Sequence, residues 1–255
     1  MSLTLRSPLL TGYGFRHGFS LRAGGSSAAP FASLNLGRGL GDRAEDVAAN
    51  HVRLAAEVGY DIAHLYETSQ VHGVQVALVD PGVDAVTFRA READALISVQ
   101  PGAAVGVRVA DCVSVLLADP RSGAVAAVHA GWRGVVGHVV EAAVLHLCAA
   151  CASTPETLLA AIFPSIGCAA FEIGDDVAQQ LAEAAGADCV IRAPAGRARA
   201  DLGDAVKAQL SQAGLAAAGI EHIPGCTFSD PVRFFSHRRD AGRTGRHLAV
   251  IVPRC

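Results

Sequence analysis

Three residues of this 255-residue chain could hold a metal ion or carry out thiol chemistry: His72, Cys112 and His129. Imidazole and thiolate are ligands that zinc accepts, and a catalytic zinc keeps three protein ligands with a fourth position open. Each of the three interrupts or ends an apolar segment. His72 stands in Gln70-Val71-His72-Gly73, just ahead of 74–79. Cys112 follows Asp111 between the apolar runs 103–110 and 113–118. His129 ends the run 124–128 and begins His129-Ala130-Gly131-Trp132-Arg133-Gly134, which contains the only tryptophan of the chain. A polar side chain at the end of a buried strand is where α/β folds place their chemistry. The spacing is long, so convergence depends on the fold. The plain alternative is three unrelated residues, since lone cysteines are common in cores.

The elements that must position these residues follow from hydrophobic periodicity. Segments 74–79, 95–99, 103–109, 113–118, 124–128, 158–163 and 247–252 read as strands. The spacing of those from 95 to 128 suggests neighbours in one sheet. Asp42 with Glu45 has capping-box spacing and opens a helix that Gly59 stops. Further helices are expected at 133–150, at 177–185 after Gly174-Asp175-Asp176, and at 201–213 with Asp201 as N-cap and Gly214 as stop. Pro81-Gly82 turns the chain. Residues 12–41 are glycine-rich, with short apolar pieces near Phe15 and 19–21 suited to edge strands. The expected fold is α/β: a single-domain layered sandwich over residues 1–255, with a mixed sheet and flanking helices.

Composition narrows the class. Half of the residues are apolar, yet no run of eighteen apolar residues occurs, which disfavours a membrane span. The first ten residues lack a signal-peptide pattern. Seven cysteines without a secretory signal suggest reduced thiols and a cytoplasmic protein. A net charge of −3 offers no footprint for nucleic acid. Cys148-Ala149-Ala150-Cys151 has redox-motif spacing but ends a helix, and reads as two core cysteines. His138 and His146 decorate that helix.

Gln70–Gly73, Ala110-Asp111-Cys112 and His129–Gly134, taken with His17-Gly18-Phe19-Ser20, 33–37, 164–167, Phe235-Ser236, Arg238-Arg239 and Gly245-Arg246, resemble the bacterial multicopper-polyphenol-oxidase-like (laccase-domain, YfiH-type) family. The similarity runs nearly end to end. It implies purine nucleoside phosphorylase activity (adenosine, inosine, guanosine, methylthioadenosine) together with adenosine deaminase activity. It also implies one zinc ion per chain on His72, Cys112 and His129. Ser114, Phe163 and His237 depart from the family's usual proline, glycine and aromatic residue.

Water activation at an open zinc position suits hydrolytic loss of ammonia from adenosine. Cys112 and His129 would act there, with Glu172 or Asp111 as acid/base. Asp111, on a strand, should point away from Cys112. Phosphorolysis needs a phosphate grip, for which arginine is suited. Arg22, Arg133 and Arg238 are the candidates, with Asn35 as an amide donor. The expected partners are small nucleosides and phosphate, with no nucleic acid and no membrane. The main alternative makes Cys112 a nucleophile with His129 as base in an amidase, such as a cell-wall-precursor editing hydrolase. A copper polyphenol oxidase fits poorly, because the chain has no His-x-His pair.

Overall fold

The long central strands, such as Val113–Ala118, Val125–Ala130 and His247–Ile251, are apolar on both faces because they are buried on both faces. The computed structural model describes residues 2–80, 82–192 and 196–254. It has two large sheets packed against each other, with helices outside. One sheet has six strands in the order Ile220–His222, Leu159–Ile162, Val113–Ala118, Val125–Ala130, Ala95–Ser98, Val76–Leu78. Its outermost pairs are parallel and its inner pairs antiparallel. The other has five strands in the order Thr4–Leu5, His17–Ser20, His247–Ile251, Ala104–Val109, Leu65–Tyr66, with only the last pair parallel. A third, three-stranded sheet joins Glu172–Ile173, Ala198–Ala200 and Val190–Ile191.

The period-2 rule sorts each strand between two layers. Val113, Val115 and Leu117 face the helices Val139–Cys151, Asp175–Ala185 and Leu202–Gln212. Leu116 and Ala118 face the other sheet, where they meet Val105, Val107, Ala249 and Ile251. The far side of the five-stranded sheet, with Ala104, Leu248 and Val250, is covered by helix Ala44–Val58. The result is a four-layer helix–sheet–sheet–helix sandwich with mixed sheets and flanking helices. Phe163, one of the family departures, is fully buried and stacks on Phe19 at 5.6 Å, bridging the two sheets.

Several expectations change. The strands from 95 to 128 do not share one sheet: Ala104–Val109 belongs to the five-stranded sheet and its neighbours to the six-stranded one. The switch occurs at Asp111, whose φ of 88° turns the chain between layers. The strand expected to stop at 128 continues to Ala130, so His129 lies within it. The single helix expected at 133–150 is broken into Trp132–Val136 and Val139–Cys151, with His138 at φ 64° between them. At the break, a Cβ on Gly137 would meet Val74 Cγ1 at 2.5 Å, so the segment after His72 packs into it. Asp42 is not an N-cap. Arg43 takes that position, and Asp42 accepts a bond from Asn35 instead. His17–Ser20 is an interior strand, not an edge. Asp201 caps its helix as expected, accepting from the Asp204 N–H, and Gly59 ends its helix at φ 87°. Pro81 lies outside the described residues.

His247 shows how tightly the backbone holds this core. Its Nδ1–H donates to Ser20 O at 2.7 Å and its Nε2 accepts from Phe235 N at 2.8 Å, which fixes the neutral ring. Burial then lowers its pKa from 6.5 to about 3, and that of His51 to about 4. The unfolded chain therefore binds more protons than the folded one below about 6.5. Stability from these rings is complete above that pH and is lost as pH falls toward about 4 and then about 3. Urea midpoints measured from pH 7 to pH 4 should fall more steeply in the parent protein than in His247→Gln. Equal slopes would contradict this account.

Candidate metal centre and its cleft

The inter-sheet layer opens at one end, and the chemistry-bearing residues collect there. His129 follows Val125 and Ala127 by the period-2 rule, so its ring points into that layer rather than toward the helices. Cys112 comes from the turn that crosses between sheets, and His72 from the loop before Val76–Leu78. One ligand atom from each of the three lies within 4.8 Å of the others, with Cys112 Sγ 4.0 Å from His72 Nε2. Among the described residues this is the group able to hold a metal ion. A tetrahedral zinc with bonds of about 2.0–2.3 Å spaces its ligand atoms about 3.3–3.6 Å apart, so the triad is about 1 Å from closure.

Asp94 builds this site, and sequence reading passed over it. Fully buried at the start of Ala95–Ser98, it lies across the sheet from His129, whose N–H donates to Asp94 O at 2.7 Å. Its carboxylate accepts from His129 Nδ1 at 2.7 Å, leaving Nε2 turned toward Cys112 and His72. The same carboxylate accepts the backbone N–H groups of Val71, His72 and Gly73 at 3.2, 3.0 and 2.7 Å. Those three bonds hold His72 at φ 59°, a left-handed conformation uncommon outside glycine. A carboxylate on the far nitrogen of a ligating histidine is the usual support of a metal site.

The electrostatics join the same groups. Burial alone would push the Cys112 thiol up, but His129 and His72 hold it down to about 6. Burial opposes charge on His129, yet the Cys112 thiolate and Asp94 raise it to about 9. A thiolate in place before any metal arrives is the ligand form that zinc needs. Gly131 closes the back of the cluster. A Cβ there would sit 2.9 Å from His72 Cδ2 and 3.2 Å from Cys112 Sγ.

The triad lies in a cleft of about 450 Å³, within the usual range of small-molecule sites. Ile166 and Phe171 form an apolar wall, and Arg38, Arg108, Arg238, Arg246 and His237 supply polar groups. Asp111 also lines it, but as a buried turn residue. Its oxygens accept from Thr227 Oγ1 at 2.6 Å and from Arg238 N at 2.7 Å, tying three loops together.

The other expected contacts separate. Arg238 lines the cleft, its guanidinium 5.3 Å from the Phe171 ring centre. Arg22, Asn35, Arg133 and Glu172 do not line it. Arg22 is spent on Ala32 O and Pro231 O. Asn35 is fully buried and bonded to Gly37, Asp42 and Arg246. Arg133 lies over Trp132 at 4.3 Å, and Trp132 packs on the helix-side core. Glu172 points to Arg199 at 3.5 Å. His17 is held by Ser7 N and Phe15 O. In their place stand Arg38, Arg108 and Arg246. Arg108 had a signal, a lone charge inside an apolar strand.

Comparisons with known proteins place the chain in a family and match its fold. The family model described as multi-copper polyphenol oxidoreductase laccase matches residues 16–254. A purine nucleoside phosphorylase of Deinococcus radiodurans is 40% identical over 251 residues, covering 97% of this chain and 91% of that protein. Adenosine deaminase RL5, from an unknown prokaryotic organism, is 37% identical, covering 87% of each. The crystal structure of YlmD from Geobacillus stearothermophilus superposes with a TM-score of 0.90 at 29% identity, covering 100% of both chains.

Two substitutions test the site without touching a ligand. Asp94→Asn should weaken metal binding at the triad about 10- to 100-fold, and Gly131→Ala should weaken it by crowding His72 and Cys112. Competition with a chromophoric chelator, with circular dichroism as the control for folding, measures both. Unchanged affinity in both would remove Asp94 and Gly131 from the site's architecture.

Proposed function

The chain belongs to the multi-copper polyphenol oxidoreductase laccase family, and on that premise we propose that it is a zinc-dependent purine nucleoside phosphorylase that also deaminates adenosine. Relatives at 40% and 37% identity bear those two names. The observation that carries the reading is the His72–Cys112–His129 triad opening onto a nucleoside-sized cleft. The donor set fits zinc: one thiolate and two imidazoles, one of them supported by Asp94, with no fourth protein ligand among the described residues. It does not fit a multicopper centre, which needs many more histidines. Bound there, zinc supplies a Lewis acid at an open coordination position.

The chain's own residues do the rest. Asp94 keeps the Nδ1 proton of His129 pointed away from the cleft, so Nε2 is the nitrogen facing the metal position, and it would offer its lone pair once a metal displaces its proton. Phe171 and Ile166 offer a face for a purine ring, and Arg238 lies beside Phe171. Asp111 holds the Arg238 backbone and so sets that wall. Deamination replaces the exocyclic amine with oxygen from water and gives inosine and ammonia. Phosphorolysis transfers the ribose from purine to phosphate. The six cysteines among the described residues are free, which supports a reducing cytoplasmic setting.

A second reading has its own support. Cys112, His129 and Asp94 are aligned as nucleophile, base and orienting carboxylate, the arrangement of a cysteine amidase. Thiolate catalysis needs Cys112 free, whereas the zinc reading needs it bound. Elemental analysis of purified protein, with adenosine turnover measured with and without phosphate, separates them. Near-stoichiometric zinc, phosphate-dependent adenine release and inosine formation are expected, all lost in Cys112→Ala and on chelation. Metal-free protein inert toward nucleosides but active on an amide would establish the cysteine hydrolase instead.

A further inference from the structure

We propose that Arg38, Arg108 and Arg246 form the subsite for inorganic phosphate, with the buried Glu67 as the residue that positions them; this rests on the nucleoside reading above. The three arginines come from separate segments yet line the same cleft as the metal triad. In the sheet register Leu248 lies opposite Arg108, and Arg246 immediately precedes that strand, which brings it to the same end of the sheet as Arg108. Glu67 is 1% exposed and pairs with Arg38, with Arg108 at 3.4 Å and with Arg89 at 3.6 Å.

Charge accounting leaves this wall short of anions. One carboxylate serves three guanidiniums around Glu67. Arg246, half-buried, forms no salt bridge among the described residues: its Nη1 donates to Thr244 O and Gly245 O, its Nη2 lies 3.4 Å from His237 Nδ1, and Cys112 and Asp111 attract it without bonding it. Asp111, the carboxylate that lines the cleft, is already used by Thr227 and the Arg238 N–H. Desolvated positive charge without a counter-charge is costly. A tetrahedral oxyanion would supply that counter-charge and accept several charge-assisted bonds at once. Glu67 keeps Arg38 and Arg108 in place before the anion arrives, and further bonds from the Arg108 side chain to Thr68 O and its backbone to Gln70 Oε1 fix that strand position.

The step balances. An oxygen of hydrogen phosphate forms a bond to the ribose C1′ as the C1′–N9 bond breaks. The electron pair of that bond leaves with N9 of the purine. The proton carried by the phosphate passes to the purine, giving the free base and ribose 1-phosphate.

Deamination uses water in place of phosphate, so the two activities of one enzyme serve as mutual controls. In Arg38→Ala and Arg246→Ala the KM for phosphate should rise about 10- to 100-fold, the range of one charge-assisted bond, and phosphorolysis should fall at least ten times more than deamination. Glu67→Gln should raise the phosphate KM while kcat is largely kept, and Glu67→Asp should recover part of the loss. Calorimetric titration with inorganic phosphate and, separately, with adenosine 5′-monophosphate tests the site independently of turnover. Binding of free phosphate that is lost in Arg38→Ala supports the assignment even if no nucleoside is turned over, an outcome that would sink only the functional reading. No binding of inorganic phosphate to the parent protein, binding of the nucleotide alone, an unchanged phosphate KM in both arginine variants, or an equal fall of both activities would overturn it.

Discussion

The Asp94 carboxylate is the group on which the site depends. Buried in the sheet, it accepts three backbone N–H groups from the loop that carries His72 and one ring N–H from His129. A buried carboxylate survives only when its lone pairs are filled. Here the donors that fill them belong to the loop and the histidine that must converge, so the requirement that stabilises the charge also sets the geometry. The left-handed backbone at His72 is held by the same bonds.

The layered architecture explains why such a site exists at this end of the molecule. Two sheets pack face to face through Leu116, Val105, Val107 and Ala249, and each is covered by helices on its other side. The chain passes from one sheet to the other at Asp111, whose conformation ends one strand and starts the next. That crossing leaves Cys112 at the mouth of the inter-sheet layer, beside the end of the strand that presents His129. Asp111 then fastens the 227 and 238 loops over the opening. Gly131 supplies the clearance behind the cluster.

The cleft divides into regions of different character. Phe171 and Ile166 give an apolar wall beside Arg238, and Arg38, Arg108 and Arg246 give a cationic one. The metal-capable triad stands between thiolate chemistry and metal chemistry. The same proximity that lowers the Cys112 pKa prepares it either as a ligand or as a nucleophile.

The sequence by itself determined the α/β class, most strand and helix positions, and the three donors His72, Cys112 and His129. Strand periodicity, caps such as Asp201 and stops such as Gly59 are local, and local chemistry is written in neighbouring residues. The family resemblance drew on the same segments. Only the tertiary structure decided which sheet each strand joins, because Ala104–Val109 and Val113–Ala118 are equally apolar and a single turn at Asp111 separates them. It also decided which polar residues face the cleft. Arg22, Asn35, Arg133 and Glu172 had suitable chemistry but are turned to backbone carbonyls, buried amides, Trp132 and Arg199. Asp94, Glu67, Arg38, Arg108 and Arg246 were legible as charges and not as a site. Their roles come from cross-strand register and from shared burial, and neither is a property of any one segment of chain.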